Sequence, residues 1–529
     1  MVLIFVRKLY REQETLELTF LIITPNGLKN TIINQKQPFM NTIDLIVFFA
    51  YILGIALFGG SFFKKNRTSE SYTMGDKTIP GWVVTMSIFA TFVSSISYLA
   101  LPGNAFQSNW NALAFSLSLP ISTLIAVKYF VPLYRKINSP SAYTFMELRF
   151  GPWARIYVSL CYLLTQLMRI GTILYLLALT LNAIVGWDIA TIIIFTGIIV
   201  AIYSMLGGIS AVLWTDAIQG IILIVGAIAC IVFMVFAMPE GPGQIFSIAA
   251  ENDKFSLGSF DLDLTKPTFW VVLVYGVFIN LQNYGIDQNY VQRYMISKSD
   301  KEAQKSALIG GLIYLPISAL FLFIGTALFA YYHSAATLPL ELQDIAKSDR
   351  VFPYFIVHAL PPGLTGLMIA SIFAAGMSTI STSFNSSATV FLTDYYDKYF
   401  KNSVSDKQRM RVLYISSAII SIIGIGIAIA MINVKSALDA WWKLSSIFSG
   451  GMLGLFLLGI FSEKKNVKAA IIGVISGILV ILWLSLSDIF LGEKAVGPAF
   501  HTYLTIVFGT IAIFLVGFLA SMFMKPKEE

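Results

Sequence analysis

Hydrophobic and polar positions along the chain form long apolar runs separated by short polar loops. About thirteen runs are readable, near 43–63, 81–101, 112–134, 154–184, 189–205, 212–237, 270–291, 306–332, 363–393, 412–432, 440–461, 467–487 and 499–523. Runs of about 20 residues suit α-helices, which at roughly 1.5 Å per residue cross a hydrocarbon core of about 30 Å. They do not show the short alternating pattern of an outer-membrane barrel. The pattern predicts an all-α integral membrane protein with about 13 transmembrane helices. Composition agrees: 57% of residues are hydrophobic and 12% charged, against roughly 25% charged in a soluble globular chain.

The apolar runs are interrupted in two places. In "GWVVTMSIFATFVSSISYLALPGNA", residues 81–105, "SSIS" breaks the run and Pro102-Gly103 is expected to end it. Five spans later, "VFINLQNYGIDQNYVQRY", residues 277–294, places Asn280, Gln282, Asn283, Asp287, Gln288 and Asn289 inside another crossing. Polar residues can simply mark the end of a span. Two interrupted spans five positions apart are, however, the trace of an inverted five-plus-five repeat, whose broken helices bind solute at the midplane.

Charge sets orientation more than chemistry. The net charge is +7, but the basic residues fall in short loops between spans, so nucleic-acid binding is not expected. Lys64, Lys65, Arg67 and Lys77, then Arg135, Lys136, Arg149 and Arg155, then Arg293, Lys298, Lys301 and Lys305 share one side with Lys398, Lys401, Lys407, Arg409, Arg411, Lys464, Lys465 and Lys468. The opposite loop, 239–268, holds Glu240, Glu251, Asp253, Asp261 and Asp263 against two lysines. The positive-inside rule then puts the N-terminus outside and the C-terminus in the cytoplasm, in the cell membrane. Residues 1–39 mix charge with a short patch, "LTFLIIT". Met40 looks like a natural start before the first span, so the leading segment is expected to be a mis-called start or a disordered tail without a transport role.

Chemical function is narrowed by what is missing. Cys161 and Cys230 lie inside apolar spans and form neither a disulfide framework nor a CxxC metal site. His333, His358 and His501 lie near span ends, far apart, so no constellation of an enzyme is formed. The tail "MKPKEE" offers no signalling domain. Three features remain: the serine/threonine cluster in "FAAGMSTISTSFNSSATVF", residues 373–391; Asp216, inside the apolar run 211–236; and Arg169, in "LLTQLMRIGTILYLL". Ser378, Ser381 and Thr382 share one helix face, with Thr379 beside it. Such hydroxyls can line a cation site or bond to carbonyls one turn back. Asp216, costly in hydrocarbon by about 2.5 to 3.5 kcal/mol, can bind a cation or reach interfacial water near its helix end. Arg169 can hold a carboxylate bidentately or pair with a buried acid.

The stretch "YSMLGGISAVLWTDAIQG", residues 203–220, resembles the signature of the sodium/solute symporter family, relatives of the sodium–glucose and sodium–proline transporters, and "FATFVSSIS", "FAAGMSTISTSFNS" and "DQNYVQRY" follow in matching order. The resemblance runs from about residue 41 to the last span and is strongest to bacterial sodium/sialic acid symporters. It implies a LeuT-like inverted 5+5 repeat with one extra leading and two extra trailing helices. The corresponding divisions are an extension 1–39, a leading helix and loop 40–80, repeats 81–240 and 241–461, and trailing helices 462–529. It further implies a first sodium site made by the carbonyls of Ala90, Val93 and Ala375 and the hydroxyls of Ser378 and Thr379. A second would be made by Asp216, Ser378, Ser381 and Thr382.

The same resemblance places Arg169 on the solute's carboxylate, with Ser94, Ser95, Ser97, Ser116, Asn280 and Asn283 as further solute-binding candidates. Phe92 and Ser116 stand where some sialic acid symporters carry a threonine and a glutamine. The expectation is a monomeric symporter that couples one or two Na+ ions to import of a small carboxylated solute, sialic acid first. Proline or another amino acid, a neutral sugar or another organic acid are the alternatives.

Overall fold

The computed structural model describes residues 20–24, 27–31, 41–64, 68–75, 77–344, 348, 350–400, 405–433, 450–462, 466–491 and 500–524. The chain divides into two units, 1–39 and 40–529. Within the first, Phe20–Thr24 (β1) pairs antiparallel with Gly27–Thr31 (β2); the expectation of a mis-called start or a tail otherwise falls outside the described residues. So do the loop positions Lys65, Arg67, Lys401, Lys464 and Lys465, residues 440–449 of one expected span, and residues 525–529 of the tail.

The second unit is helical. Its principal helices are α1 (Thr42–Ser61), α2 (Gly81–Phe92), α3 (Ser95–Gln107), α4 (Leu113–Ile137), α5 (Pro152–Val185), α6 (Ile189–Phe236), α7 (Phe269–Ile286), α8 (Gln288–Ile296), α9 (Asp300–Ser334), α10 (Leu364–Val390), α11 (Asp406–Ala430), α12 (Gly450–Phe461), α13 (Val467–Leu491) and α14 (Leu504–Phe523). Among the described residues, ten helices are long and apolar enough to cross a membrane, or eleven when the bent pair α2 and α3 is taken as one span. Two of the thirteen expected spans merge in that count. The runs 189–205 and 212–237 follow one another in the 48 residues of α6 as two helical segments that meet at a kink, with no loop between them. Forty-eight residues are about twice what one crossing needs, and Gly208 (φ 56°, ψ −162°) divides them at a non-helical turn that a residue with a Cβ would resist. α12 is a further apolar helix, too short to count by length.

Both interruptions are real breaks, within the stretches expected. α2 ends at Phe92; Val93 (φ −76°, ψ 116°) and Ser94 (φ −108°, ψ 169°) are extended, and the chain turns by 55° into α3. Pro102-Gly103 does not end the run, because α3 carries Pro102 inside it and continues to Gln107. Neighbouring helices can re-satisfy the backbone groups that such a proline frees. The seventh run, expected as one span over 270–291, stops at Ile286. Asp287 (φ −74°, ψ 126°) breaks it and caps α8 by accepting from the Asn289 amide at 2.7 Å.

Burial sorts the helices. α11 exposes Ile415, Ile419 and Ile422 along one face, as a helix bordering lipid does. α10 has no such face: every residue from Met368 to Val390 is buried. It packs against α1, α2, α5, α6 and α11, and α6 packs against α1 and α2. The serine- and threonine-rich helix is therefore the axis of the bundle, and its hydroxyls must find partners there. Asp44 of α1 fixes its start, accepting from the Gly363 and Gly366 amides at 2.7 and 2.9 Å. A carboxylate stabilises the positive end of a helix.

Candidate solute and cation site

Asp216 is completely buried, which removes the interfacial alternative. Its Oδ2 accepts from Ser87 Oγ of α2 at 2.7 Å, Arg293 Nη2 of α8 at 2.6 Å and Thr382 Oγ1 of α10 at 3.4 Å. Its Oδ1 accepts only from Ser378 Oγ of α10, at 2.7 Å. Arg293, equally buried, also donates through Nε to Ser87 Oγ at 2.8 Å, through Nη2 to Thr382 Oγ1 at 2.8 Å and through Nη1 to the Asn289 carbonyl. Four helices thus meet on one ion pair. Such a pair persists only with its remaining hydrogen-bond capacity filled, and here nearly every donor has an acceptor.

Arg293 corrects the sequence reading. It was counted with the basic loop residues that orient the chain, as was Arg155, yet both are buried. Arg155 donates to Asp394 at 2.6 and 2.9 Å and to Glu147 at 2.7 Å, and Lys398 reaches Glu147 at 2.7 Å, which ties the start of α5 to the end of the α10 span. Glu147, in the short helix Thr144–Phe150 between spans, is pushed up by partial burial. Hydrogen bonds and charge from Lys398 and Arg155 outweigh this and hold its carboxyl below the ordinary 4.5.

The expected sodium ligands are brought close together. Ser87 and Ser378 bond to the two oxygens of one carboxylate, so α2 and α10 face each other here. Ala90 lies one turn beyond Ser87 on the same face, and Val93 is the first extended residue of the break. Thr379 Oγ1 donates to the Ala375 carbonyl at 3.1 Å, which joins two more of the set. The Ser381 hydroxyl donates to the Ser378 carbonyl at 3.0 Å and, among the described residues, makes no hydrogen bond to the carboxylate.

Arg169 is placed differently from Arg293. It is half-buried, donates to the Thr91 carbonyl at a long 3.4 Å, also engages the Tyr290 side chain, and forms no ion pair among the described residues. Tyr290 and Asp287 lie within its electrostatic reach. Thr91 belongs to the last turn of α2, whose carbonyls lose their helical partners at the break. Ser94, Ser95 and Ser116 are buried and Ser97 partly so; Asn280 donates to the Phe115 carbonyl and Ser118 Oγ at 3.2 and 2.8 Å; Asn283 is half-buried.

Several polar partners escaped the sequence reading. Beyond Arg293 these are Ser87, Tyr162 and Gln166, the last two bonded to residues of the polar stretches already singled out: Tyr162 donates to Asn289 Oδ1 at 2.9 Å, and Gln166 Oε1 accepts from Asn289 and Ser383 at 3.2 and 2.8 Å. Ser87 carried the fainter signal, one hydroxyl three residues before Ala90. Arg293 carried the stronger one, since it belongs to "DQNYVQRY".

Broken membrane helices around a buried cluster of hydroxyls, freed carbonyls and charges define a machine for moving solutes across a bilayer, rather than for chemistry on them. Comparison with known proteins makes this specific. The sodium:solute symporter family matches residues 72–477, and the chain belongs to that family. It is a multi-pass membrane protein, not an enzyme, and Na+ is its coupling ion. It is 32% identical over 494 residues to the sodium/sialic acid symporter NanT of Aliivibrio fischeri, covering 93% of this chain and 95% of that protein. The sodium/sialic acid symporter SiaT of Proteus mirabilis is also 32% identical over 494 residues, covering 92% and 96%. The substrate-bound outward-open structure of a Na+-coupled sialic acid symporter superposes with a TM-score of 0.83 at 30% identity, over 92% of this chain and 99% of that one.

Proposed function

We propose that this protein imports sialic acid, N-acetylneuraminic acid first among its forms, by sodium-driven alternating access. The observation that carries the reading is Arg169: a half-buried guanidinium beside a helix break, without an ion pair among the described residues, in a chain that aligns over nearly all its length with sialic acid symporters. A guanidinium cannot deprotonate and matches a carboxylate with two parallel hydrogen bonds. Ser94, Ser95, Ser97, Ser116, Asn280 and Asn283 supply the remaining solute contacts.

Two Na+ ions fit the oxygen donors. The first is held by the carbonyls of Ala90, Val93 and Ala375 and the hydroxyls of Ser378 and Thr379, and so ties the α2–α3 break to α10. The second is held by Asp216, Ser378, Ser381 and Thr382. Asp216 Oδ1, with one donor against three on Oδ2, is the oxygen open to it. A hydroxyl that donates its proton keeps lone pairs for a cation, so the bonds of Ser378 and Thr379 are compatible with ligation. Sodium that binds the outward-open state more tightly than the others shifts the population toward it, and solute then completes closure.

The architecture belongs to the same proposal. The breaks at Val93–Ser94 and Asp287 begin two inverted five-helix repeats, 81–240 and 241–461, preceded by α1 and followed by α13 and α14. With α6 split at Gly208 and α12 counted as a span, the spans number thirteen, with the N-terminus outside, the C-terminus cytoplasmic and the monomer as the working unit. Uptake of labelled N-acetylneuraminic acid into proteoliposomes tests the function. An inward sodium gradient drives accumulation, and replacing sodium with potassium abolishes it. Sodium-driven accumulation of proline or a neutral sugar in its place overturns the solute assignment.

A further inference from the structure

Phe92 closes α2 just before the break, and its ring joins aromatic residues from three other helices. It stacks on Tyr284 of α7 (centroids 5.6 Å apart, 27° between planes) and meets Tyr314 of α9 edge-on at 4.4 Å; Phe115 of α4 lies 6.5 Å away, tilted by 31°. Tyr284 and Tyr314 are buried, whereas Phe92 and Phe115 are only partly so.

Two buried polar atoms in this cluster are left without partners among the described residues. Asn280 lies one turn before Tyr284 on the same face of α7. Its Nδ2 donates to the Phe115 carbonyl and to Ser118 Oγ, which orients the amide, and Oδ1 then has no donor. The Tyr284 hydroxyl is likewise buried without a partner. Buried polar groups are rarely left so, and an exception asks for a ligand. On the same side of the break Arg169 bonds to the carbonyl of Thr91, the residue before Phe92.

One functional group answers all three features at once. An N-acyl substituent offers one N–H for Asn280 Oδ1, one carbonyl for the Tyr284 hydroxyl and an apolar end for the rings. Resting on the sialic acid reading above, we propose that Phe92, Phe115, Asn280, Tyr284 and Tyr314 form the pocket for the solute's N-acetyl group, and that Phe92 determines specificity there. The methyl packs on Phe92 and Phe115, where a hydroxylated acyl group would bury a hydroxyl that finds no partner.

Calorimetric titration of the purified protein in saturating sodium tests this with three acids alike in their carboxylate: N-acetylneuraminic acid, N-glycolylneuraminic acid and the analogue bearing a hydroxyl in place of the amide. Wild type is expected to favour the N-acetyl form by roughly tenfold or more over each. Phe92→Thr narrows the gap to the N-glycolyl form, and Tyr284→Phe, which removes only the hydroxyl, narrows the gap to the hydroxyl analogue. Equal affinities for all three acids in wild type, or ratios unchanged in a folded Phe92→Thr together with Tyr284→Phe, overturn the pocket and leave the function standing. Failure of all three acids to bind wild type overturns the sialic acid reading, and the pocket with it.

Discussion

Arg293 and Arg169 are both intramembrane arginines, and they differ in how far the protein has used them. Arg293 is wholly enclosed and bonded to Asp216, Ser87, Thr382 and the Asn289 carbonyl, while Arg169 is half-buried and holds one carbonyl at 3.4 Å. A charge that has spent its donors inside the fold can orient helices but offers little to a solute. One that has kept them is held ready for a ligand. The sequence puts Arg169 in an apolar run and Arg293 at the edge of a basic loop, and the surroundings in the fold assign the roles.

The largest effect expected is on stability, at the saturated pair. Asp216→Asn leaves Arg293 buried without a counter-charge, and breaking a buried pair costs about 3–5 kcal/mol. Thermal unfolding in detergent should show a large fall in Tm, and adding Arg293→Met should recover most of it. If Asp216→Asn melts like wild type, the pair does not hold these helices together. In the protein that survives, the Hill coefficient for sodium should drop toward one; an unchanged coefficient above one would return Asp216 to a purely structural part.

Arg169→Ala should invert that pattern. Without an ion pair inside the fold, its loss costs stability only about 1–2 kcal/mol, whereas solute affinity falls by roughly 30- to 700-fold, the equivalent of about 2–4 kcal/mol for an unpaired carboxylate. Arg169→Lys restores only part, and the methyl ester of N-acetylneuraminic acid should bind wild type as poorly as the free acid binds Arg169→Ala. Equal affinity for acid and ester would remove the carboxylate from the argument.

Smaller again are the hydroxyls. Ser378→Ala or Thr379→Ala should raise the sodium concentration for half-maximal uptake by roughly tenfold, on the scale of one hydrogen bond to a charged group. Unchanged sodium dependence in both would move the ion elsewhere. Glu147 marks the low end. Its depressed carboxyl contributes stability that is present above the ordinary 4.5 and lost as pH falls through the lower folded value. The unfolding curves of wild type and Glu147→Gln should therefore differ by a small constant amount from pH 8 to pH 5 and converge only below that range.

Much of the architecture was legible because it depends on local properties. An apolar run of membrane length declares a helix, and "SSIS" and "NLQNYGIDQN" declare breaks, because hydroxyls and amides compete for backbone groups that an apolar helix keeps to itself. The misreadings were of context. Pro102-Gly103 looks like a stop, but α3 continues through it against α9. The division between the runs 189–205 and 212–237, by contrast, falls where it is expected, with one residue at φ 56°, Gly208, doing the work of a loop. Arg293 precedes "SKSDKEAQK" and so reads as the first charge of a basic loop, although it is the last charge of the interior.

The sequence alone determined that the chain is a helical membrane protein, that two of its helices break, and that Asp216, Arg169 and the hydroxyls of residues 378–382 are costly enough to need a reason. Local periodicity and transfer cost carry that information within a few turns of chain. Only the tertiary structure decided which partner each receives. A low-dielectric interior demands that Asp216 be compensated but leaves open whether a cation, a surface water or a residue 77 positions away supplies the charge. Packing α2, α6, α8 and α10 together gives Asp216 its arginine, and leaves Arg169 without an ion pair among the described residues and free to hold a solute.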